Sequence, residues 1–500
     1  MEHFQKLLIP LILLLLNVGQ AVAVADTTST AIPAYPAIQK LSRVIQFETV
    51  APEPGQLADA EAFTALHDYL EDAFPALHAR LQKDVINQHS LLYTWHGTNP
   101  DANPILLSAH LDVVPVEEAT RTDWRFPPFQ GLVQEGYIWG RGTMDDKYRV
   151  VAMMEAVEQL VLAGYQPERT LYLAFGHDEE TGGEAGAGGI AAYLQDQGIR
   201  LEAVFDEGLA VAKNIMPGLT EPIAFVGTAA KGNLNLVLEV RGEGGHSSVP
   251  VDEPPIYILS AAIKRLHETP FPARMTPVTK ETVARLAGKL GGRYKFAMQH
   301  YGVFRGRVLK MLAQDRVTAA LVRTQMAPTV IGGGLKANIL PRVASAVINV
   351  RLLEGDTQQR VLDHATKAIA DERVLVSVQG QYTPPSAVTP TDGWTYQALT
   401  HAIEETFPEV QTVVPALFPG ATDARHYAGL TANIYRFAPQ VVDRQEAKRV
   451  HNVNERLSVE VFGKCIAFYG HLIRATCGAE TQEIALQEEE GSRQVATRAK

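Results

Sequence analysis

Ile105–Pro115, ILLSAHLDVVP, is the stretch from which this chain can be read. Ile105, Leu106 and Leu107 open an apolar run with no polar alternation, the pattern of a strand buried on both faces of a parallel sheet. The run ends in His110 and then Asp112, two residues on. Residues i and i+2 of a strand project to one side, so an imidazole and a carboxylate stand together at the strand's carboxyl end. Open α/β sheets hold their ligands at that edge. A core histidine satisfied by a neighbouring aspartate would look the same within these residues, and the surrounding chain has to separate the two readings.

Downstream, the pattern repeats. DWRFPPFQGLVQEGYIWGRGTMDDK is punctuated by Gly and Pro, and Gly140 and Gly142 let the backbone bend just before Asp145 and Asp146. VVAMMEAVEQLVLAG is apolar at helical spacing and stops at Gly164. RTLYLAFGHDEETGG is a second strand ending in acid, GIAAYLQDQG a helix, and LEAVFDEG a third strand ending in acid. Strand, helix, strand, helix, strand predicts a parallel sheet. Three strand ends thus bring His110, Glu179, Glu180 and Asp206 to one edge, with Asp145 on a glycine turn beside them. Clustered carboxylates of this kind are costly unless a cation lies among them.

The whole chain agrees with a large enzyme. Five hundred residues allow about three domains. A net charge of −11 argues against nucleic acid as a partner. Residues 1–25 combine Lys6, the run LLIPLILLLL and an Ala-x-Ala site, which is the order of a secretory signal peptide cleaved after Ala23 or Ala25. The expected location is therefore secreted or periplasmic. The rival reading is an uncleaved membrane anchor, against which stand Asn17, Gly19 and Gln20. Cys465 and Cys477 fall in one amphipathic helix, about 18 Å apart at 1.5 Å per residue, and so cannot pair. The tail 478–500 reads as disordered.

After Gly227 the period changes. Leu234, Leu236, Leu238 and Val240 alternate with Asn235, Val237, Glu239 and Arg241, and VASAVINVRLL alternates too. Such strands have one solvated face and pair antiparallel. The expected organisation is a catalytic α/β domain from 35–229 and 383–477, mostly parallel in its sheet, with an inserted α+β domain over 230–382. Within the insertion, residues 264–323 carry thirteen Lys or Arg against three acids, on segments of helical spacing. They read as a helical insert with a solvated basic face, or else as a surface for anionic lipid or acyl chains.

His451, just before the last helix, adds a second imidazole. Two imidazoles and three carboxylates suit a pair of divalent metals. Four metal charges are offset by three carboxylates and one shared hydroxide, and one further carboxylate is left to move protons. Of Glu179 and Glu180, one can bind metal while the other faces the water. Two metals about 3.5–4 Å apart activate water and polarise a carbonyl, the chemistry of amide hydrolysis. A metal-free binding protein on the same fold is the alternative from another class, and it would be marked by missing ligands.

SAHLDVVP, GRGTMDDK, GHDEETGG, the strand before DEG, GGHSS, KANILP, GATDARHY and HNVNE together resemble the two-zinc metallopeptidase family of glutamate carboxypeptidase, aminoacylase and carboxypeptidase S. They occur in the family's order over nearly the whole mature chain. The helical insert, and Asp rather than Glu at position 206, resemble the branch of carboxypeptidase S and the N-fatty-acyl-amino-acid hydrolases. The resemblance implies a zinc-hydrolase domain with an inserted lid and dimerisation domain, two zinc ions and a homodimer. It implies that Asp145 bridges both zincs, that His110 and Asp206 complete one site, and that Glu180 and His451 complete the other. Glu179 would be general base, and Asp112 would orient a histidine ligand. His246 would stabilise the oxyanion, often in the partner's site, while Asn338, Arg351 and Gly420 would hold the substrate's carboxylate. The implied substrate is a peptide or an N-acyl amino acid. Tyr148, where many relatives have Gly, departs from the glutamate-specific members.

Overall fold

The run that opened the reading is the strand Ile105–His110, buried along its whole length. The computed structural model describes residues 34–52, 59–214, 221–287, 289, 296, 301–314 and 316–478. The leader 1–25 and the tail beyond 478 lie outside them.

Eight strands form the main sheet, in the order Gln82–Ile86, Ser90–Trp95, Leu171–Gly176, Ile105–His110, Ala203–Ala212, Ile434–Val442, Ile223–Ala230, Val413–Phe418. The central four, from Leu171–Gly176 to Ile434–Val442, run parallel. The flanking strands Ser90–Trp95 and Ile223–Ala230 run against them. One face packs Leu91, Ile105, Leu107, Leu173 and Phe205 against the helices Lys147–Leu162 and Val459–Cys477. The other packs Leu106, Tyr172 and Val204 against the helix Ala187–Asp196 and the turn Asp423–Gly429. Both faces are therefore dry, which is why the central strands read as unbroken apolar runs. The helix Lys147–Leu162 is buried nearly all round between sheet and terminal helix. Cys465 and Cys477 lie in that terminal helix as free, buried thiols.

A second sheet of four antiparallel strands has the order Gln325–Gly333, Val343–Leu352, Gly232–Arg241, Val374–Thr383. Its strand Gly232–Arg241 alternates buried and half-exposed residues, as its period-two sequence predicts. The helices Pro255–Glu268 and Gln358–Ile369 cover the buried side. Part of the helical insert's apolar surface is spent within the protein, while Val303 and Phe296 are exposed. Leu286, Val308, Leu312 and Val322 pack on Ile223 and Val414 at the edge of the main sheet, and Thr282 donates to the Pro415 carbonyl at 2.7 Å. Among the described residues no helix is long and apolar enough to cross a membrane.

Candidate metal centre

Asp145 stands between two imidazoles. Its Oδ1 lies 3.0 Å from His110 Nε2, and its Oδ2 lies 2.9 Å from His451 Nε2. Glu180 Oε1 is 3.3 Å from the same His451 nitrogen, and Glu207 Oε1 is 4.0 Å from His110 Nε2. Ligand atoms of His110, Glu179 and Glu207 fall within 4.8 Å of one another, as do those of His110, Asp145 and Glu180.

Three anchors set this arrangement. The first is Asp112, fully buried, whose Oδ1 and Oδ2 accept the backbone N–H groups of Glu179 (3.2 Å) and Glu180 (3.1 Å). The same carboxylate lies 3.3 Å from His110 Nδ1, whose second neighbour is the Asp112 carbonyl at 3.0 Å. One side chain thereby orients a histidine and pins the turn that carries both glutamates. The second anchor is Glu455. Its Oε1 accepts from the amides of Gly142 (3.0 Å) and Met144 (2.8 Å), and its Oε2 pairs with Arg141 Nη1 at 2.6 Å. The ribbon beside it, with Arg456–Ser458 paired to Tyr137–Trp139, brings the His451 loop against the Asp145 turn. The third is Arg149, buried beneath the rim. It donates to Asp146 Oδ2 (2.9 Å), to the Ser108 carbonyl (2.7 Å) and, through Nε, to the Tyr469 hydroxyl oxygen (2.8 Å). The Asp145–Asp146 peptide is cis.

The electrostatics follow from crowding. Burial lifts the Glu179 carboxyl well above its ordinary range, and Asp423, Glu180 and Asp145 add to the rise. Glu207 is raised well above its range by burial and by Asp145 and Glu179. Burial alone would lower His110, but Asp112 and Asp145 hold it well above its usual value. Hydrogen bonds to Asp145 and Glu180 lift His451 to about 10. Burial would raise Asp145, yet its bonds to the two histidines bring it below the carboxylate range. Among the described residues no Lys or Arg nitrogen lies within 4.0 Å of the carboxylates of Asp145, Glu179, Glu180 or Glu207. Lys147 turns away and donates to the carbonyls of Val44 and Phe47.

One sequence-based ligand is corrected. Asp206 does not join the cluster. Its Oδ1 accepts from the Glu207 amide at 2.8 Å, its Oδ2 from the Ala424 amide at 2.8 Å, and Arg149 lies 3.7 Å away. Glu207 occupies the expected place instead. Neighbouring residues on a strand face opposite sides. Asp206 shares a side with Val204, against the Asp423–Gly429 turn, while Glu207 follows Phe205 and opens toward the rim. The exchange leaves the number of carboxylates at the cluster unchanged, with Asp145, Glu180 and Glu207 beside the two imidazoles, while Arg149 pairs with Asp146 and lies 3.7 Å from Asp206.

The substrate candidates divide. Half-buried Arg351 lies near enough to Glu179 for the two charges to interact, and its Nε donates to Asn349 Oδ1 at 3.2 Å. His246 and Asn338 come together on an exposed two-stranded ribbon, where the Ser247 amide donates to the Asn338 carbonyl at 3.1 Å, and neither has a described contact with the rim. Gly420 lies in the turn after Val413–Phe418. A Cβ there would meet the Phe418 ring at 2.8 Å, so ring packing already accounts for the glycine. Tyr148 is fully buried in the core of the helix Lys147–Leu162, behind the rim and not in it. Arg149, Arg141 and Glu455 escaped the sequence reading. Their only signal there is a charged residue inside an apolar helix or a ligand-bearing motif.

The residues present fit a metal pair. The Asp145 carboxylate offers one oxygen toward each imidazole, Glu180 Oε1 is buried 3.3 Å from His451 Nε2, and nitrogen and oxygen donors of this kind suit zinc and its neighbours. Comparison with known proteins points the same way. Residues 106–475 match the profile of Peptidase family M20/M25/M40. The chain is 37% identical over 447 residues to probable carboxypeptidase S-like 2 of Dictyostelium discoideum, covering 88% of this chain and 84% of that protein. It is 36% identical over 442 residues to the N-fatty-acyl-amino acid synthase/hydrolase PM20D1 of Mus musculus, covering 87% of each. An M20 family metallo-carboxypeptidase from Sulfolobus solfataricus superposes with a TM-score of 0.64 at 15% identity, over 88% of this chain and 98% of that one, a likeness of fold.

Proposed function

We propose that this chain, which belongs to peptidase family M20/M25/M40, cleaves the amide bond between an acyl or aminoacyl group and a C-terminal amino acid. It is a metal-dependent amide hydrolase, and the reading as a metal-free binding protein is not favoured. The observation that carries the proposal is Asp145 shared between His110 and His451, with a further glutamate beside each histidine.

In this reading Asp145 would be shared between two zinc ions, with His110 and Glu207 holding one and Glu180 and His451 the other. The ions would polarise the scissile carbonyl and make a water acidic enough to deprotonate near neutral pH. Glu179, buried at the rim with its carboxyl raised above the ordinary range by burial and by Asp423, Glu180 and Asp145, would take the water's proton and return it to the leaving amine. Arg351 pairs with the C-terminal carboxylate. Asp112 keeps His110 and the Glu179–Glu180 turn in place. Export through residues 1–25 is part of the proposal, on the strength of their basic, apolar and Ala-x-Ala order. So is a homodimer, because His246 on its exposed ribbon would need a second copy to bring it to a rim.

N-acyl amino acids are the favoured substrates, supported by the likeness to the murine protein, and dipeptides are the competitor, supported by the likeness to carboxypeptidase S-like 2. The zinc-loaded enzyme is assayed on oleoyl-Phe and on Gly-Leu, beside Glu179→Ala. Turnover should vanish in the variant while metal content, read by elemental analysis, stays at two per chain. Near-normal activity in Glu179→Ala would refute the mechanism, and a strong preference for Gly-Leu would refute the acyl assignment.

A further inference from the structure

Among the described residues, a buried guanidinium without a hydrogen-bond partner lies beside the metal centre. Arg436 sits in the strand Ile434–Val442, opposite Asp206 on one side and Gly227 on the other. It is 1% exposed, and among the described residues its Nε and Nη1 make no hydrogen bond. The neighbouring strands make room for it. A Cβ at Gly208 would come within 2.6 Å of the Arg436 Cβ, and one at Gly227 within 3.0 Å. Two glycines on adjacent strands are what such a bulky residue needs to pack there.

The charge is not otherwise met. Asp206, whose field does reach Arg436, is already engaged by two amides and lies 3.7 Å from Arg149. Burial lowers the Arg436 pKa to about 10, which still leaves it cationic at neutral pH. An uncompensated buried ion costs several kcal/mol, so a counter-charge is expected where the guanidinium can reach one.

Arg436 lines a cavity of about 600 Å³. Tyr382, Pro385, Ala387 and Ile434 give it apolar walls, and Arg425, also in the lining, has the carboxylate of Glu184 3.8 Å away as its counter-charge. Arg425 is held there by the Thr383 hydroxyl (3.3 Å) and by the Gly182 carbonyl, which also lies 3.0 Å from His426 Nε2. Gly182 ends the turn that bears Glu179 and Glu180. None of the rim groups His110, Asp145, Glu179, Glu180, Glu207 or His451 lines the cavity.

We propose that this cavity is a second binding site, taking the carboxylate of a small amphipathic monoanion, such as a medium-chain fatty acid, against Arg436 with the apolar tail along Pro385 and Ile434. A largely apolar pocket with a few convergent polar groups is the usual form of a small-molecule site. Inorganic phosphate shares the charge but has no tail, and so separates the two halves of the proposal.

The test titrates the zinc-loaded, full-length protein with octanoate and, separately, with inorganic phosphate, by calorimetry. Three variants are compared: Ala387→Trp, which fills the cavity and touches no rim residue; Arg436→Gln, which removes the charge; and Glu207→Ala, which alters the rim. Octanoate should bind the wild type and Glu207→Ala alike. Its affinity should fall roughly tenfold or more in Ala387→Trp and Arg436→Gln, and phosphate should bind more weakly than octanoate. Unchanged octanoate binding in Ala387→Trp overturns the site, whether or not Arg436→Gln folds. So does the absence of octanoate binding to the wild type, or its loss in Glu207→Ala alone. Phosphate binding as tightly as octanoate overturns the amphipathic assignment.

Discussion

Glu455 holds two loops that must meet for the metal centre to exist, and removing its side chain tests whether they are independent. In Glu455→Ala, the amides of Gly142 and Met144 lose their acceptor, and Arg141, 4% exposed, loses the carboxylate 2.6 Å from it. Hydrogen bonds to a charged acceptor contribute about 1.5–3 kcal/mol each, and breaking one partner of a buried ion pair costs about 3–5 kcal/mol. Arg141 keeps a contact with the Asn452 carbonyl at 3.4 Å and its place over the Trp124 ring, so the expected loss is about 3–5 kcal/mol and not the full sum. The loss should not be uniform. The Asp145 turn and the His451 loop drift apart, whereas His110 keeps Asp112. One zinc should therefore bind roughly 10–100-fold more weakly while the other is held nearly as before. Glu455→Gln should fall between, since its amide oxygen still serves Gly142 and Met144 but its NH2 faces Arg141. Urea unfolding and zinc titration against a competing chelator measure the two effects. They are made at pH 8, because burial lifts the Glu455 carboxyl to about 7 and the pair is ionised above that. Glu455→Ala unfolding within about 0.5 kcal/mol of wild type, with both zinc affinities intact, would refute the reasoning.

Glu207→Ala should weaken one zinc site and spare stability, while Asp206→Ala should cost about 2–4 kcal/mol in urea unfolding and leave both zincs bound; the reverse pattern restores Asp206 as the ligand. Asp112→Asn puts an NH2 among donors, the amides of Glu179 and Glu180 and His110 Nδ1, so kcat should drop at least about tenfold with KM nearly unchanged, a split that steady-state kinetics on oleoyl-Phe reads directly. His67, buried and with Nε2 3.0 Å from the His89 carbonyl, has its pKa lowered by burial from 6.5 to about 4. The unfolded chain then binds the extra proton first, so stability is full above the unfolded pKa and falls as pH drops from 6.5 toward 4. Urea midpoints should show His67→Gln losing about 2 kcal/mol less than wild type between pH 7.5 and pH 5, and equal losses would remove His67 as the cause.

Much of the centre was legible because strand ends in a doubly covered sheet are places where chemistry must gather. The apolar run before His110, the acids after Leu171–Gly176 and the glycine turn before Asp145 each declare an edge, and the motif order adds His451. The flanking strands Ile223–Ala230 and Val413–Phe418 were harder to see, since small residues such as Ala224, Gly227 and Ala229 carry little strand signal.

The linear chain by itself determined the residue types at the rim, the parallel centre of the main sheet and the one-sided second sheet, because each follows from local periodicity and turn chemistry. Only the tertiary structure decided that Glu207, not Asp206, faces the cluster, because a strand dry on both sides gives no local cue to which side holds the ligands. It alone joined Arg141 to Glu455 across 314 positions, and left Arg436 buried between two glycines. Charges so far apart in sequence become partners, or stay without one, only when packing brings their surroundings together.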